Sequence, residues 1–428
     1  MDSELLEHPL RRRVMAELHA RPFSPVATPK RILHYAFVTD ARAVANDRQT
    51  LSAFCIERGL SGPEAETKQA RIVLPEAMLR WESHTEFTTY TWEFACEDPI
   101  PRPFEPRSDR LSGIMHLLPQ PGPLLVAIDL HLVPESSVPD GAQTCFDGSA
   151  IALSEAENGG AIVATDFQAD GNGFVRVLVV DRGLGPGPAG ALIQRLLEIE
   201  TYRTLALLGL PEAQELAPVI RRIEIELPQL LDEMQRSEGF DANHRLLDRL
   251  MALAAQLEAG AAASLYRFGA TRAYEELVGL RLQAIGERAV PGWPSWSGFL
   301  SRRLNPAMRT CASTEERQAN LSRKLARAAQ LLRTRVNIDL ERQNRDLLQA
   351  MNRRAHLQLR LQQTVEGLSV AAISYYLSSL AHLIFEGMHA AGFHISPEVA
   401  TAAVVPVALV IVAAIVRRIR RAHSLTEP

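Results

Sequence analysis

The chain has 428 residues, of which 46% are apolar and 22% charged, and its net charge is −4. That length is too great for one hydrophobic core, so two or three structural units are expected, and the near-neutral balance excludes a wholesale nucleic-acid binder. Four scattered cysteines, Cys55, Cys96, Cys145 and Cys311, form no CxxC pair, which fits reduced cytosolic thiols better than a disulfide framework or a zinc site.

The N-terminal stretch carries acids before its arginines and no apolar run behind them, so no secretory signal is expected. Residues Glu7 to Ala20 read as a short amphipathic helix with Leu10, Val14 and Leu18 on one face, ended by Pro22, Pro25 and Pro29. Strand-like segments follow at 31–39, 70–74, 78–84 and 86–94, the last alternating cleanly, with a helix over 42–58 that stops at Gly59. After the proline-rich break DPIPRPFEP and a short helix come strands at 124–133, 149–154, 161–168 and 174–180. ADGNG joins the last pair as a hairpin turn. Strands and helices mix without strict βαβ alternation, so 25–185 reads as an α+β, mixed-sheet cytosolic domain.

Beyond Gly190 the periodicity is helical, punctuated by Pro211, Gly239 and Gly286, with PGWPSWSGF (291–299) as a loop. From Ala307 to Glu366 there is neither glycine nor proline. This segment predicts one long stalk helix with a coiled-coil-like seam near Leu325, Leu332, Val336, Leu340, Leu347 and Met351. Such a seam is unstable alone in water and calls for a partner, here a second copy in a homo-oligomer. From Arg302 to Arg360 there are 14 Lys or Arg against 5 Asp or Glu, so contact with anionic lipid headgroups stands beside a merely solvated exterior.

The C-terminus carries the membrane reading. Gly367–Phe385 and Val399–Val416 contain no Asp, Glu, Lys or Arg, and each is about the 20 residues a spanning helix needs. Arg353, Arg354 and Arg360 precede the first segment and Arg417, Arg418, Arg420 and Arg421 follow the second, while the connection holds no Lys or Arg. A hairpin in a bacterial inner membrane, with both termini cytoplasmic, is expected.

GLGPGPAG (183–190) has the G-x-G-x-x-G spacing, yet only helices follow it, so it reads as a strand-to-helix junction rather than a dinucleotide site. Glu82, His84 and Glu86 share one face if their strand is continuous, giving either a metal or proton site or a solvated strand face. His19 and Arg21 offer a phosphate or lipid contact, or a helix-end cap. In the first span Tyr375, Ser379, His382, Glu386 and His389 recur at spacings of four and three, which puts them on one helical face. Polar groups are costly against lipid tails, so this face should turn toward protein or water, as a hydrogen-bonded interface or as a path for an ion or proton. No nucleophile–base motif, P-loop or HExxH is found, and no cofactor is expected, with a divalent cation left open.

The stretches HPLRRRVMAELHARPF, RWESHTEFTTYTWEF, ATDFQADGNGFVRVLVVD and QRLLEIETYRTLALLGLP, with the C-terminal hairpin, resemble an uncharacterised bacterial domain-of-unknown-function family of membrane-anchored proteins over nearly the whole chain. The layout is also similar, more loosely, to the CorA-type magnesium transporters, which the resemblance endows with a cytosolic α/β domain, a stalk helix entering the first span, a second span and a basic tail. Their aromatic-Gly-Met-Asn signature is matched here by Gly387 and Met388, with Glu386 at the aromatic position and His389 at that of the asparagine. The expected organisation is thus 1–24, an amphipathic helix; 25–185, the α+β domain; 186–306, a helical region; 307–366, the stalk; 367–416, the hairpin; and 417–428, a basic tail. The expected function is a non-catalytic, anchored sensing or binding module. A CorA-like divalent-cation or proton channel is the alternative, and an enzyme in 25–185 a third possibility.

Overall fold

The computed structural model describes the chain except residues 1–7, 12–13, 16–22, 65–66, 97–101, 105–114, 116, 147–149, 392–393, 395 and 424–428, and gives backbone alone for 419–423. His19 and Arg21, and most of the expected helix over 7–20, lie outside the described residues. The chain divides into two compact units, Met1–Asp232 with Arg249–Ala328, and Glu233–Asp248 with Ala329–Pro428.

The first unit is built on one nine-stranded sheet. Its strands are β1 (Lys30–Val38), β2 (Gln69–Val73), β3 (Met78–Ser83), β4 (Phe87–Ala95), β5 (Leu124–Pro134), β6 (Ala152–Ala156), β7 (Ala161–Ala169), β8 (Val175–Asp181) and β9 (Arg288–Ala289). Their order is β2-β3-β4-β1-β5-β8-β7-β6-β9. Only β5 and β8 pair in parallel, and every other neighbouring pair is antiparallel. The mixed α+β class is therefore as expected, and all eight strand segments read from the sequence are present. The two-residue β9 carries no alternation and was not foreseen.

Both faces of the sheet are covered. Helix α1 (Ala41–Glu57) starts at Asp40, whose side chain accepts from the Ala43 amide at 2.7 Å. It lies against Leu33, Tyr35 and Phe37 of β1 and Trp81, Tyr90 and Trp92 of β3 and β4. Asp47 of α1 is buried and accepts from Trp81 Nε1 at 2.7 Å and Tyr90 Oη at 2.6 Å, pinning helix to sheet. Helix α2 (Pro186–Leu207) covers the opposite face, its Leu192, Ile193, Leu196 and Leu197 packing on Ile32, Ala36, Ile128 and Val177. Because central strands are buried on both sides, they read as nearly continuous apolar runs.

The glycine-rich junction before α2 is structural. Asp181 accepts from the Gly183 and Leu184 amides, Gly185 occupies the N-cap, and Pro186 supplies the first turn. A Cβ on Gly190 would collide with the Ser24 carbonyl oxygen, so this glycine lets the segment entering β1 lie directly on the helix. The Val26 amide donates to the Pro186 carbonyl at 2.9 Å beside it.

Helices α3 (Gly209–Arg236), α4 (Phe240–Ala284), α5 (Trp296–Ala390) and α6 (Pro397–His423) complete the chain. Helix α5 begins within the segment expected to be a loop. Ser295 Oγ accepts from the Gly298 amide at 3.0 Å, a cap that the neighbouring Pro294 and Gly298 obscured in the sequence. Trp296, at the first position, is fully buried and donates to the Val163 carbonyl.

In the second unit, Arg335 of α5 donates to the Met234 carbonyl at 2.5 Å. Asn243 Nδ2 donates to Asp339 Oδ2 at 2.8 Å. Beyond this clamp every residue of α5 from Leu340 to Val365 is exposed. The end of α5 and α6 are each long and apolar enough to cross a membrane, and only 11% of either apolar window is buried.

Candidate functional site

The β-register of the first unit assembles one polar row from alternate residues of three strands. Arg80 of β3 pairs with Thr91 of β4, and Thr91 pairs with His34 of β1. One step along, Glu82 pairs with Thr89. Side chains two apart share a face, so Arg80, Glu82, Thr89, Thr91 and Glu93 all point toward α2. Their neighbours Leu79, Trp81, Tyr90 and Trp92 point toward α1.

His34 is the keystone of this row. Its Nε2 lies 3.2 Å from Thr201 Oγ1 of α2, and Thr201 already gives its one hydroxyl proton to the Leu197 carbonyl. Thr201 therefore accepts, His34 Nε2 carries the proton, and His34 Nδ1 accepts from Thr91 Oγ1 at 2.8 Å. Burial, reinforced by Arg80 and His84, pushes the His34 imidazole down to about 3. It is a neutral tautomer with both nitrogens used, and its work is to join β1, β4 and α2.

Beside it lies a small cavity of about 30 Å³, lined by His34, Arg80, Glu82, His84, Thr89 and, from α2, Gln194, Glu198 and Thr201. Phe87 and Tyr202 complete the lining. Arg80 Nε lies 3.7 Å from Glu82 Oε2, and both side chains are almost fully buried. Burial raises the nearby Glu93 carboxyl, with Arg80, Arg71 and Lys30 opposing. Arg80 Nε, Thr89 Oγ1 and Gln194 Oε1 are buried with no hydrogen-bond partner among the described residues. Glu198 accepts from Gln194 Nε2 at 3.0 Å and pairs with Arg281 of α4.

The three acid and histidine candidates of this region part company. Their strand is not continuous: β3 ends at Ser83, β4 starts at Phe87, and the His84 amide donates to the Phe87 carbonyl to close a hairpin. The face is not solvated either, since Glu82 and Glu86 are 7% and 8% exposed. Glu82 and His84 reach the cavity, with the His84 ring stacked 4.0 Å from that of Phe87. Glu86 turns instead to α4, accepting from Arg267 Nη2 at 2.5 Å and Tyr266 Oη at 3.3 Å. Burial, with Glu86 next, pushes the Tyr274 phenol up. His34, Arg80, Gln194 and Glu198 were missed. The legible signal was the run of polar residues two apart on strands whose other face is apolar.

A second buried charge cluster lies on the α1-facing side of the sheet. Arg31 clasps Asp129 through Nε at 3.0 Å and Nη2 at 2.5 Å. His131 Nε2 is 3.2 Å from Asp129 Oδ1, near enough for attraction but without hydrogen-bond geometry, and Phe104 packs on its ring. Burial works to raise the Asp129 carboxyl, yet His131 and Arg31 hold it below its ordinary value. This arrangement is that of a bidentate structural ion pair.

In the apolar hairpin only one of the predicted polar residues faces the second helix. His382 Nδ1 lies 2.9 Å from Thr401 Oγ1, and Thr401 gives its proton to the Pro397 carbonyl, so His382 donates. Tyr375, Ser379, Glu386 and His389 are exposed, as is Gly387, while Met388 is half-buried. In this apolar part of α5 the buried residues are Ser374 and Ser378. Among the described residues, no group of three or more His, Cys, Asp or Glu is placed to hold a metal ion.

Neither a curated protein nor a solved structure matches the chain. A family model described as a protein of unknown function matches residues 6–423, and the chain belongs to that family, DUF3422.

Proposed function

We propose that this protein is a membrane-anchored sensing or binding module whose sheet unit faces the cytoplasm. The observation that carries the anchoring is the pair of apolar helices whose spanning windows are almost wholly unburied within the chain. In water such windows expose large apolar area, whereas in hydrocarbon they satisfy every backbone group internally. Arginines flank the hairpin on one side only, which supports two spans with both termini in the cytoplasm of a bacterial cell. The basic stalk then lies near anionic headgroups.

The test is extraction. Membranes holding the full chain are washed at high salt and then at alkaline pH, alongside a variant truncated before Gly367. The full chain stays with the membrane in both washes and the truncated one is soluble. Release of the full chain at alkaline pH overturns the proposal.

A second reading is conduction of a divalent cation or proton, in keeping with the likeness to CorA-type transporters. The observation in its favour is a stripe left uncovered along an apolar helix, the hydroxyls of Tyr375 and Ser379, the Glu386 carboxylate and the His389 imidazole. Purified protein in liposomes would then leak, and His382→Ala or Glu386→Gln would stop the leak. A tight liposome containing folded protein removes this reading.

A further inference from the structure

The exposed stalk and the exposed polar stripe of the first span are one seam. Leu340, Leu347, Leu361, Leu368, Tyr375, His382 and His389 all fall on a single seven-residue repeat, with Arg354 at its one charged member. Four residues after each but His389 come Asn344, Met351, Val365, Ala372, Ser379 and Glu386, with Gln358 after Arg354. The spacing alternates four and three from residue 340 to residue 389 without a slip, which is the a/d pattern of a coiled coil. A straight helix drifts about 20° per heptad off such a repeat, so the stripe holds one direction only when helices wrap around each other with left-handed twist.

Apart from His382, which is half-buried against Thr401 of α6, the named residues of this seam stand open. Leu340, Leu347, Met351, Leu361, Val365 and Leu368 are 45–75% exposed, and Tyr375 is 72% exposed. Above them, Leu332 and Val336 are already buried within the chain, and cover stops where the regular repeat begins. Positions flanking the seam, such as Gln343, Leu348, Ala350 and Leu357, carry no charge apart from Glu341, whereas Arg342, Arg345, Arg353 and Arg360 lie off it. Arg354 is thus the one basic residue of this stretch that lies on the seam. Asn344 occupies an a position, where a buried asparagine pairs with its own counterpart and fixes register.

We infer that a second copy of this chain covers the seam, the two α5 helices running parallel and in register from the stalk into the membrane. The orientation rests on the anchored reading above. Two hairpins inserted with the same sense hold their stalks side by side, and confinement to one bilayer raises their effective concentration. Within the bilayer the same packing gives Tyr375 and Ser379 a protein partner in place of lipid tails, where an unsatisfied polar group is costly. The seam thus explains two features at once: apolar side chains exposed in water and polar side chains exposed in hydrocarbon.

Single-cysteine substitutions in the full chain, oxidised in native membranes, test this. Leu347→Cys and Leu361→Cys lie on the seam; Gln349→Cys and Gln363→Cys lie on the opposite face two residues later. Seam variants shift mostly to a band of twice the mass, and off-seam variants behave as the unsubstituted chain. Alkaline extraction of each variant scores anchoring separately, so loss of anchoring and loss of pairing are told apart. Absence of the doubled band in membrane-retained Leu347→Cys and Leu361→Cys overturns the inference, as does equal cross-linking at all four positions. The mass in detergent is the second measurement: Leu347→Asp with Leu361→Asp reduces it to one chain while tryptophan emission from the sheet unit stays unchanged. An unaltered mass also overturns it.

Discussion

Acid should weaken the sheet unit through His34, and the size of the effect follows from its surroundings. The folded imidazole is held neutral down to about 3, while in the unfolded chain it protonates near its ordinary value of 6.5. A histidine with a depressed folded value contributes stability that is fully present above the unfolded value and is lost as pH falls toward the folded one. The window is thus from 6.5 down to about 3. Each pH unit inside it costs about 1.4 kcal/mol, so at pH of about 4.5 the loss is roughly 2.7 kcal/mol. His34→Gln supplies a donor and an acceptor to Thr201 and Thr91 without a titrating group. Chemical unfolding of the full chain in detergent, followed by tryptophan emission, reads the sheet unit because Trp81, Trp92 and Trp296 are fully buried there. The stability difference between wild type and His34→Gln should move by roughly 2.7 kcal/mol in favour of the variant between about pH 7 and about pH 4.5. Parallel pH dependences would refute the tautomer and burial assigned to His34.

Asp47→Ala strands two buried donors, Trp81 Nε1 and Tyr90 Oη, and is expected to lower stability of the sheet unit by about 2–4 kcal/mol in the same unfolding assay. Gly190→Ala drives a methyl group into the Ser24 carbonyl and should cost about 1–3 kcal/mol, with faster proteolysis of the segment before β1. Thr401→Val removes the acceptor for His382 between the apolar helices, so a loss of only about 0.6 kcal/mol is expected in detergent.

Strand patterning made the sheet legible because both its period and its turn residues are local. What patterning could not give is which strands become neighbours. Arg80, Thr91 and His34 lie far apart in the sequence, and only the β3-β4-β1 register sets them in one row. Burial misled in the same place: Glu82 and Glu86 look like a solvated face, yet α2 and α4 cover them and supply Gln194 and Arg267. The start of α5 was hidden because Pro294 and Gly298 signal a loop, while the Ser295 cap and the buried Trp296 decide for helix. In the span the period of the polar stripe was plain, but its direction was not. His382 alone of the five reaches the second helix, since only it meets a hydrogen-bonding partner there.

A hairpin inserted from the cytoplasm puts its connection outside and its stalk inside, and labelling reads each side directly. In spheroplasts, an impermeant maleimide should label Ala391→Cys in the hairpin connection at once and Gln349→Cys in the stalk only after lysis. Labelling of Gln349→Cys in intact spheroplasts, or protection of Ala391→Cys until lysis, would contradict a hairpin inserted from the cytoplasm.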